Sequence, residues 1–441
     1  MRGARTDSSA AYAWGVVAIL FVINLIGYLD RQILILMIGP IKHDLGLSDG
    51  AFGLIHGSGF VVTYALAGLF IGRLIDRGHR RNVLLVCLLL WTMFTALSGF
   101  ARSGMELFIA RMGVGFGEAA LIPAAVSLLG DYFDERRRGR AVGVFMTGTY
   151  VGLGCSLAMT ALLLPMFAQL SGWLAVGGIE APPWRLLLGS MLPAGLAGAV
   201  LLLAVREPRG KGWTPPPPPV AARALSYWFE RADLYFPHHL GFAALAFCGF
   251  GLHAWAPAVL MREYGFSPAA TGITYGLLVT LTGCLGAALG GWTGDVVLRR
   301  FPRYGRMAAA APFIVLAATG IAIAFGAPSA WVLVAGYGAL NIGLSAALVV
   351  GLTSITDIAP VEVRARVTAV YLLFSGLFGM GLAPALMGYA NDLLGGLGFP
   401  LSDVVATFCG VGLGLAALLI AIASRRLPAM APLASAASAP A

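Results

Sequence analysis

Long apolar stretches separated by short polar ones recur along the whole chain. A helix needs about 20 mainly apolar residues to cross the hydrocarbon of a bilayer. Runs of that kind lie near 12–38, 51–73, 82–101, 105–129, 140–165 and 184–205, and again near 239–260, 268–294, 305–326, 330–355, 366–390 and 401–424. The pattern predicts an all-α integral membrane protein of twelve transmembrane helices in two six-helix bundles, one over 1–205 and one over 239–426. Between them, residues 206–238 are polar and proline-rich, with Pro215 to Pro219 in a row. Such a run is extended and solvated, so it is expected to be a linker on the cytoplasmic surface. The tail over 427–441 is Ala, Pro and Ser and is expected to be disordered.

Composition narrows the classes further. Hydrophobic residues make up 59% and charged residues 11% of the 441, and the mean hydropathy is +0.85. A soluble domain has about 45–50% apolar and about 25% charged residues, so soluble enzymes, secreted domains and nucleic-acid binders are excluded as the main reading. The first apolar run is too long for the core of a cleavable signal peptide and lacks a small-residue cleavage site, so it is expected to remain in the protein. The net charge of +9 reports topology. Of the 29 lysines and arginines, Lys42, Arg102, Arg185 and Arg262 fall at one set of boundaries, and Arg31 and Arg111 fall within spans. The rest, Arg73, Arg77, Arg80, Arg81, Arg136 to Arg138 and Arg140 among them, fall at the termini and on the opposite loops. The positive-inside rule then places both termini in the cytoplasm, and the bacterial cytoplasmic membrane is the expected location. The cysteines Cys87, Cys155, Cys248, Cys284 and Cys409 are scattered in apolar runs without metal-ligand spacing.

The two halves repeat one another. Gly72-Arg-Leu-Ile-Asp76-Arg77-Gly-His-Arg80-Arg81 follows the second span, and Gly291-Trp-Thr-Gly-Asp295-Val-Val-Leu-Arg299-Arg300 follows the eighth. Asp131 with Arg138-Gly-Arg140 follows the fourth span, and Asp357 with Arg364-Ala-Arg366 follows the tenth. Duplicated six-helix halves are a plan of secondary transporters. The Gly72 to Arg81 segment resembles the loop 2–3 signature of the major facilitator superfamily, with His79 where that family usually has glycine. Leu107-Phe-Ile-Ala-Arg111-Met-Gly-Val-Gly115-Phe-Gly117 resembles its fourth-helix signature. Within the superfamily, Tyr28-Leu-Asp30-Arg31-Gln32, the segment from Pro40 to Asp49, and Glu118 resemble the spinster-type lipid transporters.

Asp30 and Glu118 are the acidic residues that fall well inside spans. Intramembrane charges are costly and normally pair with one another or face a wet cavity. Arg111 and Glu118 are seven residues apart on one helix face, about 10 Å along the axis. Counted from the outer helix ends, Asp30 and Arg111 reach similar depths, about 12 and 9 Å. The superfamily resemblance implies that helices 1, 4, 7 and 10 line a central cavity, where all four charges meet. Desolvation raises a carboxylate pKa and a neighbouring guanidinium lowers it, so Asp30 and Glu118 are the expected proton-coupling residues, Asp30 foremost. Arg31 and Arg111 complete the charge network and are available to an anionic substrate group. The resemblance also implies gating by Gly72, Asp76, Arg77, Arg80 and Arg81, with Asp295 and Arg299 as the second copy; Val296 stands where that copy would carry an arginine.

Other features favour ordinary packing. Gly113-x-Gly115-x-Gly117 mimics a phosphate loop but lies in an apolar span, where close helix packing is the better reading. Gly148 to Gly154 lack a drug-exporter Gly-Pro step and suggest flexure. His56 and His253 read as satisfied polar groups, and Trp255, Tyr275, Asn341, Tyr371 and Phe374 as packing or C-half cavity lining. The expectation is therefore a proton-coupled secondary transporter working by alternating access as a monomer. The resemblance implies an amphiphilic cargo such as a lysophospholipid or sphingoid-type lipid; a small organic anion is the alternative. Protons are the expected coupling ion, with no other cofactor, and no nucleic-acid partner is expected. A membrane-embedded lipid enzyme would need a clustered nucleophile and base or a metal set, and the six histidines suggest none. A receptor or scaffold would leave the two loop signatures unexplained.

Overall fold

The computed structural model describes residues 10–208, 227–301 and 305–427. Among them every regular element is a helix, and twelve are long and apolar enough to span a bilayer. They are α1 (Ala10–Leu36), α2 (Asp49–Asp76), α3 (Arg80–Ser98), α4 (Gly104–Tyr132), α5 (Arg137–Val176), α6 (Pro183–Leu203), α7 (Ala232–Arg262), α8 (Pro268–Arg300), α9 (Arg306–Ala324), α10 (Ala330–Ile358), α11 (Arg366–Gly395) and α12 (Leu401–Arg426). The described residues group into two compact units, one drawn from Met1–Pro216 with Gly265–Thr280 and the other from Pro217–Tyr264 with Leu281–Ala441. Most of the expected linker (209–226, Pro215 to Pro219 included), the tail from 428 and the side chain of Arg77 lie outside the described residues.

Two spans differ from the hydropathy reading. α5 runs through Pro165 to Val176 and presents Leu162, Met166, Leu170 and Trp173 outward. Lipid offers a freed amide or carbonyl no alternative partner, so an apolar chain that loses one helical bond at proline keeps the rest. α7 begins at Ala232, so Asp233 and His238, which fell in the expected linker, lie in its first turns beside His239, where the span was expected to start.

The connection between α1 and α2 is built from local sequence. The short helix Ile38–Leu45 ends at Gly46, whose φ of 63° is a left-handed conformation that glycine adopts without strain. Ser48 then caps α2, its Oγ accepting from the amide of Ala51 at 3.1 Å. Asp44 in this connector binds Arg185 of α6 at 2.8 Å, and Lys42 pairs with Asp49. The Pro40 to Asp49 segment thus serves as a pinned corner.

In the first unit, small residues bring the helices together. A side chain at Gly115 would stand 2.2 Å from the carbonyl oxygen of Phe60 on α2, and one at Gly117 would stand 2.7 Å from that of Cys87 on α3. The Gly113-x-Gly115-x-Gly117 run is a packing face, as its membrane setting suggested. Gly148 and Gly152 likewise fit against Asn24 and Tyr28 of α1, so close approach explains these two glycines without flexure. Outward faces carry Leu66, Phe70 and Leu74 on α2 and Trp292 on α8, a surface suited to lipid.

Candidate functional site

The charged residues expected within the membrane meet inside the first unit. Asp30 and Arg31 are consecutive on α1, so their side chains leave the helix about 100° apart and reach different partners. Asp30 Oδ2 accepts from Arg111 Nη1 at 3.1 Å and from Thr95 Oγ1 of α3 at 2.9 Å. Arg31 pairs through Nη2 with Glu118 Oε2. The arrangement is two ion pairs of opposite polarity between α1 and α4, with Arg111 and Glu118 of α4 each meeting a different one of the two adjacent residues on α1. Asp30, Arg111 and Glu118 are buried at 2%, 0% and 2% exposure, whereas the Arg31 side chain keeps 15%.

Phe60 of α2 joins the pairs. The Arg31 guanidinium lies 4.3 Å and the Arg111 guanidinium 5.6 Å from its ring centroid, and Tyr28 lies 5.0 Å from that of Arg31. An aromatic face attracts a cation most where water is excluded, so the ring holds two like charges near one another. Several polar atoms remain buried without a hydrogen-bond partner among the described residues: Asp30 Oδ1, Glu118 Oε1, Arg31 Nε, and Arg111 Nε and Nη2. The site therefore offers two bare carboxylate oxygens beside guanidinium N–H groups still able to donate. His56 stacks on Phe52 with ring centroids 6.1 Å apart and sits within electrostatic reach of Arg111 and Arg31. Its Nδ1 is buried and unpartnered, contrary to the expectation of a satisfied polar group.

The loop signatures resolve into separate clusters. Arg80 is fully buried and binds Asp131 and Glu207, each at 2.6 Å, together with the Ser127 carbonyl at 2.8 Å. Glu207 also accepts the backbone amide of Arg81 at 3.2 Å. Basic residues in a first turn oppose the helix dipole, and Glu207 answers them at the start of α3. The sequence reading grouped Arg80 with the gate; its geometry is that of a tie between the ends of α3, α4 and α6. Gly72 and Asp76 stand at the far end of α2, with Asp76 exposed.

In the second unit Arg306 does the corresponding work. It donates to Asp295 at 3.2 Å, pairs with Asp357 and donates its amide to Asp357 at 3.1 Å. The repeat aligns Arg299 with Arg80, yet among the described residues Arg299 reaches only the backbone carbonyl of its own Asp295, at 3.2 Å. Arg306 and Glu207 lie outside the repeated motifs, so spacing gave no signal for them. Trp255 donates to the Pro384 carbonyl at 3.0 Å and Asn341 to Thr282 Oγ1 at 2.8 Å, which accounts for both as packing. The sequence reading found no histidine cluster, but His238 and His239 are hydrogen-bonded neighbours; assigning His238 to the linker concealed the pair. Among the described residues no group of His, Cys, Asp and Glu has the form of a metal site.

With this geometry in place, comparison with known proteins decides the family. The profile of the Major Facilitator Superfamily matches residues 20–384. The chain belongs to that superfamily. An efflux pump of the same type from Mycolicibacterium smegmatis is 30% identical over 87% of this chain and 85% of its own. Spinster homolog 1 of Bos taurus is 28% identical over 88% of this chain and 75% of its own. A gallate transporter of Pseudomonas putida is 28% identical over 65% and 66%. Among solved structures, a bacterial homologue of the human lysosomal transporter Spinster, inward-facing and unoccupied, superposes with a TM-score of 0.82 at 25% identity, covering 95% of this chain and 98% of that one. Family and fold make this superfamily member an integral membrane transporter rather than an enzyme.

Proposed function

We propose that this superfamily member is a proton-coupled secondary transporter working by alternating access in a bacterial cytoplasmic membrane, with both termini cytoplasmic. The observation that carries the reading is the pair of buried carboxylates, Asp30 and Glu118, each bound to a guanidinium through one oxygen and left with the other bare. A buried charge is costly unless it is paired, so a carboxylate so placed depends on its arginine. Displacing the arginine toward a substrate anion releases the carboxylate to take a proton, which couples the two binding events. Asp30 is the principal proton carrier in this scheme, released when its partner Arg111, which keeps unpartnered Nε and Nη2 groups, turns toward the anion, while Arg31, partly exposed, makes the first contact with that anion. Asp76 and Asp295, exposed at helix ends, serve as gating charges.

The cargo we propose is an amphiphile, a lysophospholipid or a sphingoid-type lipid. Similarity to spinster homologues over most of the chain supports it. The second reading, a small organic anion, is supported by the likeness to the gallate transporter and by the unpartnered guanidinium N–H groups, which suit a carboxylate as well as a phosphate. Uptake into proteoliposomes under an imposed pH gradient, with lysophospholipid and gallate assayed in parallel, separates them. Gradient-dependent movement of the lysophospholipid alone is the expected result, and movement of gallate alone replaces the lipid reading with the anion one. Movement of neither when the gradient is imposed in either direction contradicts both.

A further inference from the structure

The second unit holds a buried polar group that the charge network of the first does not involve. His238 and His239 lie in the first turns of α7, and both are 0% exposed. Their Nδ1 atoms face one another at 3.0 Å. His238 Nε2 lies 2.8 Å from Ser354 Oγ on α10, and His239 Nε2 lies 3.2 Å from the carbonyl oxygen of Val367 on α11. Ser354 Oγ in turn lies 2.8 Å from the carbonyl oxygen of Gly351.

The proton inventory of this chain is constrained from both ends. A carbonyl oxygen only accepts, so His239 must carry its hydrogen on Nε2. The Ser354 hydroxyl, when it donates to the Gly351 carbonyl, has only lone pairs to offer His238, which must then also carry hydrogen on Nε2. Two neutral imidazoles with hydrogen on Nε2 would turn bare Nδ1 lone pairs toward each other at 3.0 Å. One added proton removes that conflict by forming an N–H···N bond, and the pair then carries a single positive charge. A second added proton would set two N–H groups against each other and is opposed by the same contact. Without the added proton, one rearrangement satisfies both rings: the Ser354 hydroxyl turns to donate to His238 Nε2, and His238 donates from Nδ1 to His239. The two states differ by one proton and one hydroxyl rotation, and the heavy-atom distances suit both.

We infer that the His238–His239 pair is a one-proton binding site in the second unit, with the Ser354 hydroxyl turning between Gly351 and His238 as the proton enters and leaves. The surroundings leave the charge to the pair itself. Tyr235 and Phe242 of α7, Trp228 just before it, and Tyr371 and Phe374 of α11 pack around the two rings, and of these only the tyrosines titrate. On α12, Leu419 and Ile420 approach α7 at Gly241. The described charges on the adjoining helix ends are engaged elsewhere or stand at the boundary. Asp357, one turn beyond Ser354 on α10, pairs with Arg306, Asp233 faces Arg426 at 3.8 Å, Arg231 lies over Tyr227, Arg364 donates to the Thr356 and Ala359 carbonyls, Glu230 and Arg425 are exposed, and Arg366 is partly exposed at the start of α11. His238 lies about 9 Å along the axis from the start of α7.

The inference does not rest on Asp30 or Glu118, and the test keeps the two apart. The full chain, labelled with ring-¹⁵N histidine and held in detergent micelles, is titrated between about pH 4 and 9, with His238→Gln and His239→Gln assigning the two rings. The expected result is one step of one proton in which both rings change together, unaltered in an Asp30→Asn background. Ser354→Ala removes a charge-assisted hydrogen bond from the loaded state and a weaker neutral one from the unloaded state, so it lowers the midpoint of that step. Separate midpoints for the two rings, or rings that keep one neutral form across the whole range in the folded parent, overturn the inference. An unmoved midpoint in folded Ser354→Ala overturns the role given to the hydroxyl.

Discussion

Asp30 and Arg111 form a contact whose worth is not the sum of its charges. Taking both groups out of water is costly, and the mutual attraction mainly offsets that cost. Breaking the pair from one side is a different matter, because it strands a buried charge at about 3–5 kcal/mol. Arg111→Gln therefore destabilises the folded protein on that order, while Asp30→Asn combined with Arg111→Gln, which removes one charge of each sign, recovers a large part of the loss. Thermal unfolding of the single and double variants in detergent measures this, and strictly additive losses contradict the pair. At this scale the sequence was informative about which residues matter. A charge in an apolar run is visible in one line of text, and Asp30, Arg31, Arg111 and Glu118 all stood out. Which charge meets which was not legible, because adjacent positions on α1 diverge by a rotation that spacing along the chain does not relate to α4. Thr95 and Phe60 were invisible for a simpler reason: a threonine and a phenylalanine in a membrane helix look like packing.

Helix contacts in the first unit depend on glycines at close crossings. Gly115 allows α4 to approach the backbone of α2 within the distance a methyl group would occupy. Gly115→Ala forces the helices apart and costs about 1–3 kcal/mol, as overpacking does in a filled interior. Gly130→Ala on the same helix meets nothing within 4 Å and serves as the control, with a midpoint of thermal unfolding at or above the parent's. Equal effects of the two substitutions contradict the packing role. Hydropathy gave the spans because lipid imposes it: a backbone without water must close its own hydrogen bonds, and helices do so whatever the side chains. It failed where that rule and local polarity disagree. His238 looks like a linker residue next to a span that starts at His239, yet tertiary partners on α10 and α11 accept both into α7. Arg306 escaped notice because the repeat drew attention to Arg299, whose guanidinium instead turns back on its own helix.

For the whole molecule, twelve spans in two repeated halves follow from pattern, and the superfamily follows from the resemblance of the Gly72 to Arg81 and Leu107 to Gly117 segments to its signatures. Cargo does not follow in the same way: a spinster homologue and a gallate transporter are similar to this chain at the same 28% identity, and one fold can host many substrates. What the proposed transport cycle requires is narrower. Energy stored in a proton gradient reaches the cargo only if one group loads a proton in one state and releases it in another, and the proposal gives that role to Asp30. Asp30→Asn keeps the size of the side chain, and its amide oxygen still accepts from Thr95 or Arg111, but it cannot exchange a proton. The most direct measurement is accumulation of the transported substrate by proteoliposomes under an imposed pH gradient, parent beside Asp30→Asn, with counterflow exchange at zero gradient as the control for a folded carrier. The account predicts that the variant still exchanges substrate yet fails to concentrate it. Concentration equal to the parent's at the same gradient would contradict it.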